Sequence, residues 1–452
     1  MMRARELALG LINCMGRRTV TGLLIGCGML FEDWSANYRL FQKDRMNLDS
    51  LFSVVRQETI CRLNTDEPIR AHMDDTLLRK TGKKVHGTAW RRDPLGPPFH
   101  TNFVWGQRFI QLSISLPDHY GIGPAKSIPI DFHHAPTVKK PSNQANQATI
   151  QEYKQAQKQA KLSKQGVIRI QQLRENLDND GAKERQLIMS VDGSYTNETV
   201  LKKLPPRTTL IGRIRKDAVL HQLPKPNEKP GRKRIYGEPI PTPEQIRQSD
   251  LYKWQQVKAY AAGKQHEFDL KVVKGIRWKK SGEQLLQLVV IRPLSYRLTK
   301  QSRLLYRKPA YLICTDAELA IETLLQSYLW RWGIEVNFRE EKTTLGCGEA
   351  QVRNASAVVK VPGFITATYA MMLLAANQIE QLKIKQLPHT KWYTKRKDNN
   401  LTTGDLINQI RTQIYADTIN INFDHFVKLY KKTQNQLNRP NMLLSAAFYC
   451  RK

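Results

Sequence analysis

The chain has 452 residues, 40% of them hydrophobic, and its 72 lysines and arginines outnumber 40 acidic residues to leave a formal charge of +32. Length and apolar content exclude a disordered chain and allow more than one domain. The charge excess favours a polyanionic partner, nucleic acid first and an anionic membrane surface second. The six cysteines show neither zinc-site nor disulfide spacing, so a reducing, cytoplasmic compartment is expected.

The N-terminal segment is helical in pattern and rich in arginine. Its apolar run "VTGLLIGCGMLF" is too short to span a membrane, and we expect a core helix there. Short strand-like runs follow, "PIRAHM" ending at "DDT", "KKVHGTAW" and "FVWGQRFIQLSISLP", with the turn-forming "DPLGPPFH" between them. These runs predict neighbouring strands of one sheet.

A segment rich in Gln, Lys and Ala, residues 143–177, favours helix. It leads through a loop to "QLIMSV", a buried strand that ends at Asp192. Open α/β sheets bind ligands outside the carboxyl ends of their strands. The position of Asp192 therefore indicates a ligand site.

After residue 200 the composition changes to basic loops punctuated by Pro and Gly, with short strand-like runs such as "QLLQLVVIRPLSYRL". The strand "YLICT" and a long helix follow, and Thr315 with Glu318 resembles a capping box at the start of that helix. We predict a mixed α/β chain with helical ends. Its predicted parts are a helical N-terminal region (1–66), the first part of a catalytic domain (67–199), an inserted β-rich domain (200–310), the second part of the catalytic domain (311–380) and a basic helical C-terminal region (381–452).

The long helix carries ionisable side chains along one side. At about 100° per residue they fall within roughly 40° of one line, beside an apolar stripe. The members of the ionisable stripe are Tyr328, Arg331, Glu335, Arg339 and Lys342. A solvated face with ion pairs between residues four apart explains this stripe equally well.

Three acidic positions lie on that stripe or at predicted strand ends: Asp75 (with Asp74 beside it), Asp192 and Glu335. Brought together, three carboxylates would repel one another unless a cation neutralised them. Oxygen-only ligands select Mg²⁺ or Mn²⁺, and two such ions about 4 Å apart can promote phosphoryl transfer. A lone Asp after a strand is, however, more often a turn or cap residue.

The spacing Tyr, two residues, Arg, three residues, Glu, six residues, Lys is met by Tyr328, Arg331, Glu335 and Lys342. It resembles the YREK signature of DDE transposases from bacterial insertion sequences. The stretches "DDT" and "SVDGSY" are similar to the first and second aspartate motifs of that family. The order and separation of the three motifs agree with the family over most of residues 67–360.

The resemblance implies a ribonuclease H-like fold, a mixed sheet flanked by helices and interrupted by the β-rich insertion. It implies two Mg²⁺ or Mn²⁺ ions on Asp75, Asp192 and Glu335. Only one of two successive strand residues can point into the site, and the family motif, with its Asp directly before Thr, favours Asp75 over Asp74.

The resemblance also implies DNA contacts. They fall on the signature side chains Tyr328, Arg331 and Lys342, with Arg339 and Arg353 as further candidates. The base-flipping aromatic of the family has no unambiguous match here. Its candidates are Trp254, Trp278 and Tyr306.

The expected activity is cut-and-paste transposition. The protein would bind terminal inverted repeats of double-stranded DNA, hydrolyse the ends and join the 3′-OH groups to target DNA, as a homodimer in the cytoplasm near the nucleoid. A relative that only binds DNA is the first alternative. A glycosidase with paired carboxylates is the second, and the charge of +32 disfavours it.

Overall fold

The computed structural model describes residues 2–93, 96–97, 99–118, 123–225, 233–299, 301–381 and 401–418. The described residues form two compact units. The first unit draws on residues 2–55, 77–107 and 336–418, and the second on residues 56–76 and 108–335.

The elements of both units are numbered together along the chain. The helices are α1 (Met2–Asn13), α2 (Val20–Gly26), α3 (Ser35–Gln42), α4 (Leu48–Cys61), α5 (Gln147–Gln159), α6 (Leu162–Leu177), α7 (Glu198–Leu201), α8 (Pro243–Gln248), α9 (Ile321–Trp330), α10 (Trp332–Arg339), α11 (Ala357–Gln381) and α12 (Thr403–Thr418). The strands are β1 (Ile69–Arg79), β2 (Ala89–Arg92), β3 (Phe103–Pro117), β4 (Ala125–His134), β5 (Leu187–Val191), β6 (Thr208–Arg213), β7 (Gln255–Ala261), β8 (Lys264–Ile276), β9 (Leu286–Ile291), β10 (Ser295–Tyr296), β11 (Leu305–Tyr306) and β12 (Ala310–Cys314). Short π-helical turns follow α6 and α10, at Asp178–Ala182 and Glu340–Thr344.

The second unit is built on a mixed sheet. Its strand order is β3-β1-β5-β6-β12-β9-β8-β7, and β4 pairs with β3. Strands β1, β5 and β6 run parallel to one another, whereas β12 is antiparallel to both β6 and β9. All five residues of β5 are buried, as expected for a central parallel strand that is covered on both faces.

Helices cover both faces of this sheet. On one face, Leu324 and Leu325 of α9 pack into a core with Ile188 and Ile211. On the other face, a side chain at Gly166 of α6 would come within 3.1 Å of the Met73 side chain. The mixed α/β architecture with flanking helices, predicted from the sequence, is confirmed.

The start of the long helix differs from the prediction. Helix α9 begins at Ile321 rather than at a capping box on Thr315. The hydroxyl of Thr315 instead accepts a hydrogen bond of 2.8 Å from the Leu210 amide, and the Thr315 amide donates to the Leu210 carbonyl at 3.0 Å. Thr315 thus extends the hydrogen bonding between β12 and β6.

The segment predicted as an insertion, 200–310, supplies β6 to β11. Of these strands, β6, β7, β8 and β9 belong to the same sheet as β1 and β5, and β10 pairs with β11. The division into five predicted parts, with four boundaries, remains a proposal. Within the predicted C-terminal region 381–452, only Gln381 and residues 401–418 belong to the described chain, and the rest lies outside it.

The first unit is mainly helical. Helix α1 packs against α2, α11 and α12, and the predicted N-terminal core helix is confirmed as α2, which buries Val20, Leu23 and Leu24. Among the described residues, α11 is the helix long and apolar enough to cross a membrane, yet 83% of its most apolar stretch is buried inside the protein. A core helix has this pattern.

Candidate functional site

Two aspartates of the second unit are neighbours at the point where the parallel pairing of β1 with β5 ends. Met73 of β1 pairs with Val191 of β5, and one position earlier His72 pairs with Ser190. The next position on each chain is an aspartate, Asp74 and Asp192. Because adjacent strands lie about 4.8 Å apart, this register brings the two carboxylates to one edge of the sheet.

Both aspartates follow residues that face α9. The Ser190 hydroxyl donates a 3.1 Å hydrogen bond to the Ser327 carbonyl on that helix, and the guanidinium of Arg70 lies 5.3 Å from the ring centre of Trp330. Side chains two and four residues further along a strand point the same way. Asp74 and Asp192 are therefore on the α9 face of the sheet.

Arg331, at the junction of α9 and α10, bridges two carboxylates on this face. Its Nη1 lies 2.9 Å from Asp74 Oδ2, and its Nη2 lies 2.8 Å from Glu335 Oε1. The guanidinium also lies 5.8 Å from the ring centre of Tyr328. Only 12% of the Arg331 side chain is exposed, so these ionic contacts are poorly screened by water. Three residues of the predicted stripe thus meet around one guanidinium.

The site carries more negative charge than Arg331 neutralises. The pKa of Asp74 is raised to about 7 because the carboxyl group is buried, and the charges of Asp192 and Asp75 raise it further while Arg331 opposes them. An isolated structural ion pair would lower the pKa of its carboxyl group. The opposite shift of Asp74, whose largest cause is burial, marks it as a candidate functional-site residue.

Asp75 lies on the other face of β1. One of its oxygens accepts a 3.3 Å hydrogen bond from the Tyr195 hydroxyl, and the other lies 3.2 Å from Arg108 Nε. The family motif favours Asp75 as the metal ligand. In the structure, however, Asp74 shares a face with Arg331 and Glu335. Successive side chains of a β-strand point to opposite faces of the sheet, so Asp75 lies on the face opposite to that of Asp74.

The loop after β5 holds Asp192 in place. The Ser194 amide and hydroxyl donate to Asp192 Oδ1 at 2.9 and 2.6 Å. The Thr196 hydroxyl donates to the Asp192 carbonyl at 2.8 Å. Thr196 packs directly on Gly212 of β6, where a Cβ atom would lie 2.1 Å from its hydroxyl oxygen. Only glycine at position 212 leaves room for this loop.

The carboxylates have the donor chemistry for a hard divalent ion but are not arranged as a finished metal centre. Within the described part of the chain, no three Asp, Glu, His or Cys side chains are grouped closely enough to hold a metal ion. The guanidinium of Arg331 stands between Asp74 and Glu335. Oxygen donors and excess negative charge fit Mg²⁺ or Mn²⁺, provided that Arg331 gives up these contacts.

The other predicted DNA contacts belong to the first unit. Arg339 is exposed and pairs with Glu340 at 2.9 Å. Lys342 Nζ lies 5.7 Å from the ring centre of Phe338, and burial lowers the pKa of Lys342. Arg353 is exposed and lines a cavity of about 450 Å³.

The three candidates for a base-flipping aromatic have different environments. Lys271 Nζ lies 4.4 Å from the ring centre of Trp254. Trp278 is 7% exposed, whereas Tyr306 is 65% exposed. Tyr306 is therefore the candidate whose ring is accessible to a base.

Sequence reasoning missed Tyr195 and Arg108, the partners of Asp75. Tyr195 is the last residue of the stretch "SVDGSY", and its burial raises its pKa well above the usual range. A buried tyrosine three residues after a candidate ligand was a possible signal. Arg108 lies within a long strand, and its sequence context gave no signal of a functional site.

A family described as DDE superfamily endonuclease matches residues 1–268, more than half of the chain. The chain therefore belongs to the DDE superfamily of endonucleases. Asp74, Asp75 and Asp192 fall inside the match, and Glu335 falls beyond it. A search of curated proteins finds no significant match.

Membership defines the class of enzyme. The large mixed sheet flanked by helices is consistent with the ribonuclease H-like fold of DDE enzymes. The family supports an enzyme of nuclease or transposase type, with DNA as the implied substrate and divalent metal ions as the usual cofactors.

Proposed function

We propose that this protein is a cut-and-paste transposase of a bacterial insertion sequence, working in the cytoplasm near the nucleoid. It would bind the terminal inverted repeats of its element, hydrolyse the phosphodiester bonds at the ends and join the new 3′-OH groups to target DNA. The observation that carries the proposal is the grouping of Asp74, Asp192, Glu335 and Arg331 on one face of the sheet.

In this proposal Asp74, Asp192 and Glu335 hold two Mg²⁺ or Mn²⁺ ions. Asp74 replaces Asp75 because it shares a face with Arg331 and Glu335. Such ions activate the attacking oxygen and stabilise the departing oxygen of an in-line displacement at phosphorus. The same carboxylates serve both reactions, since hydrolysis uses water and joining uses a 3′-OH as nucleophile.

The protein's own cations would position the DNA. Arg331 lies next to the carboxylates, and a guanidinium suits bidentate contact with a phosphate. Tyr328 lies beneath it and limits where the guanidinium can move. Lys342, Arg339 and Arg353 would also contact the DNA, and the helical N-terminal region 1–66 would recognise the repeat.

The proposed reaction needs two transposon ends in one complex. A homodimer, with one active site for each end, is the simplest arrangement that meets this need. The dimer follows from the mechanism proposed, and the charge of +32 supports an assembly wrapped in DNA.

The test is cleavage of a plasmid that carries the gene with its flanking genomic DNA, in Mg²⁺ or in EDTA. We expect ion-dependent cuts at the element's ends that Glu335→Gln abolishes. A protein that binds these ends without cutting them in Mg²⁺ or Mn²⁺ would instead be a DNA-binding relative.

A matched pair of variants identifies the first ligand. Asp74→Asn is expected to abolish cleavage, whereas Asp75→Asn should retain a measurable rate after correction for the folded fraction. The reverse order of effects would return the ligand role to Asp75.

A further inference from the structure

A large basic cavity opens in the second unit beside the loop of Asp192. Its volume is about 1200 Å³, above the roughly 300–1,000 Å³ typical of sites for small molecules. Its wall begins at Gly193, directly after Asp192, and continues over the ends of β6, β8 and β12. We call it the basic cleft, and its charged lining residues are Arg213, Arg215, Lys216, Asp217, Glu244, Arg247, Lys279, Lys280 and Lys308.

The two acidic residues of the basic cleft are already neutralised. Arg215 holds Asp217 through two contacts of 2.9 Å. Arg247 lies 2.6 Å from Glu244, which also accepts a hydrogen bond from the Tyr311 hydroxyl. The contact with Arg247, together with that from Tyr311, lowers the pKa of Glu244 to about 2. Neither carboxylate therefore repels an anion that enters the cleft.

The remaining cations of the basic cleft have no acidic partner. Among the described residues, none of them forms an ion pair within 4.0 Å. Their side chains are all exposed, so they can reach a ligand without first leaving an acidic partner, although Lys280 Nζ lies 4.9 Å from the ring centre of Trp278. They are Arg213, Lys216, Lys279, Lys280 and Lys308.

The basic cleft begins next to the carboxylate site, at Gly193 and Arg213. Val191 pairs with Gly212, so the next residues along the two strands, Asp192 and Arg213, are neighbours. The positive charges of Arg331 and Arg213 both act on the Tyr328 hydroxyl. A polyanion bound at Arg331 could therefore continue into the basic cleft without leaving the positive surface.

The lining of the basic cleft suits a phosphate backbone better than bases. Its aromatic side chains cannot serve as stacking surfaces, because Trp278 is 7% exposed and Tyr311 is 4% exposed. Contacts with phosphates are independent of sequence. Proteins that bind single strands follow the backbone with a positively charged groove and stack the bases on aromatic rings. The basic cleft offers the groove without exposed rings, so it would hold the backbone of a strand and leave the bases unstacked.

We propose that the basic cleft binds the phosphodiester backbone of one DNA strand, over the nucleotides that adjoin the bond cleaved at the carboxylates. This inference rests on the proposed function. The cleft holds the strand through Arg213, Lys216, Lys279, Lys280 and Lys308 and does not read its sequence.

Two triple variants of equal charge test the proposal. The cleft variant is Lys279→Gln/Lys280→Gln/Lys308→Gln. The matched control is Lys183→Gln/Lys203→Gln/Lys264→Gln, which removes three exposed lysines of the same unit that do not line the cleft. Binding of labelled single-stranded oligonucleotides is measured by fluorescence anisotropy between about 50 and 200 mM salt, in EDTA, after thermal unfolding has shown that both variants are folded.

For single strands, each phosphate contact contributes a slope of about −0.7 to a plot of log K against log salt concentration. Loss of three contacts is expected to reduce the steepness by about 2 and to weaken binding roughly 10²-fold near 0.1 M salt. The control variant should keep the wild-type slope, and oligonucleotides of unrelated sequence should bind alike.

Equal slopes for the two triple variants would overturn the proposal. So would displacement of the oligonucleotide by ATP at the same phosphate concentration, since that would indicate a mononucleotide site. A preference for duplex over single strand that the cleft variant abolishes would also overturn it. If the wild-type protein binds the element's ends but does not cut them in Mg²⁺ or Mn²⁺, the proposed transposase function fails while the salt slopes stand, so the two failures are distinguishable.

Discussion

Replacing Asp74 with asparagine is expected to stabilise the ion-free protein, and to do so more at high pH. Burial, reinforced by Asp192 and Asp75, raises the pKa of Asp74 to about 7. In an unfolded chain an aspartate ionises near pH ~3.9. Between these values the folded state keeps a proton that the unfolded state has lost, so the free energy of unfolding decreases as the pH rises from about 4 to about 7.

The size of the effect follows from the two pKa values. They differ by about three units, and each unit corresponds to about 1.4 kcal/mol. Relative to a neutral side chain of the same shape, the Asp74 carboxylate lowers the free energy of unfolding by about 1–2 kcal/mol at pH 5 and about 4 kcal/mol at pH 8. Asparagine is that neutral side chain, so the variant should gain these amounts over the wild type.

Thermal unfolding in EDTA at about pH 5, 6.5 and 8 measures the gain. Asp75→Asn is the matched control, because Asp75 is paired with Arg108 and Tyr195 and its loss should lower the melting temperature. Added Mg²⁺ should reduce the advantage of Asp74→Asn, since ligand binding stabilises the wild type. An Asp74→Asn variant that melts below the wild type at pH 8, or whose gain is independent of pH, would refute the reasoning.

Three further substitutions distinguish residues that position the reacting groups from residues that stabilise the fold. Arg331→Gln removes the cation between two carboxylates and should slow strand cleavage by about 10²-fold or more, measured in single turnovers; an unchanged rate would contradict its role. Gly212→Ala forces Thr196 away from the loop of Asp192 and should cost about 1–3 kcal/mol, with cleavage lost in the folded fraction; a wild-type melting temperature and rate would show that the loop adapts. Tyr195→Phe removes one hydrogen bond worth about 1 kcal/mol and should retain cleavage. Loss of cleavage in this variant would implicate the carboxylate of Asp75, which accepts that hydrogen bond.

The sequence was most informative where local pattern and tertiary structure agree. The apolar run before Asp192 predicted a buried strand, and β5 is buried throughout. The stripe on the long helix predicted that Tyr328, Arg331 and Glu335 share one side, and they meet around the guanidinium of Arg331. Both predictions need only the side-chain periods of strand and helix.

The sequence could not reveal features that depend on strand pairing. It showed that only one of Asp74 and Asp75 can enter the site, and the motif favoured Asp75, whereas the face of β1 that α9 covers carries Asp74. Nor did the capping pattern at Thr315 reveal that its hydroxyl would hydrogen-bond to β6. Sheet register is a long-range property that spacing along the chain does not encode.

The structure shows where some of the charged side chains behind the formal charge of +32 lie. Carboxylates cluster around Asp74, where Asp192 and Asp75 oppose its ionisation, while cations without an acidic partner line the basic cleft that begins one residue after Asp192. A site with a single sign of charge would attract either metal ions or DNA and repel the other. Because the two signs occupy adjoining surfaces, each ligand has its own place, and each bound ligand then favours the other by supplying opposite charge at the boundary.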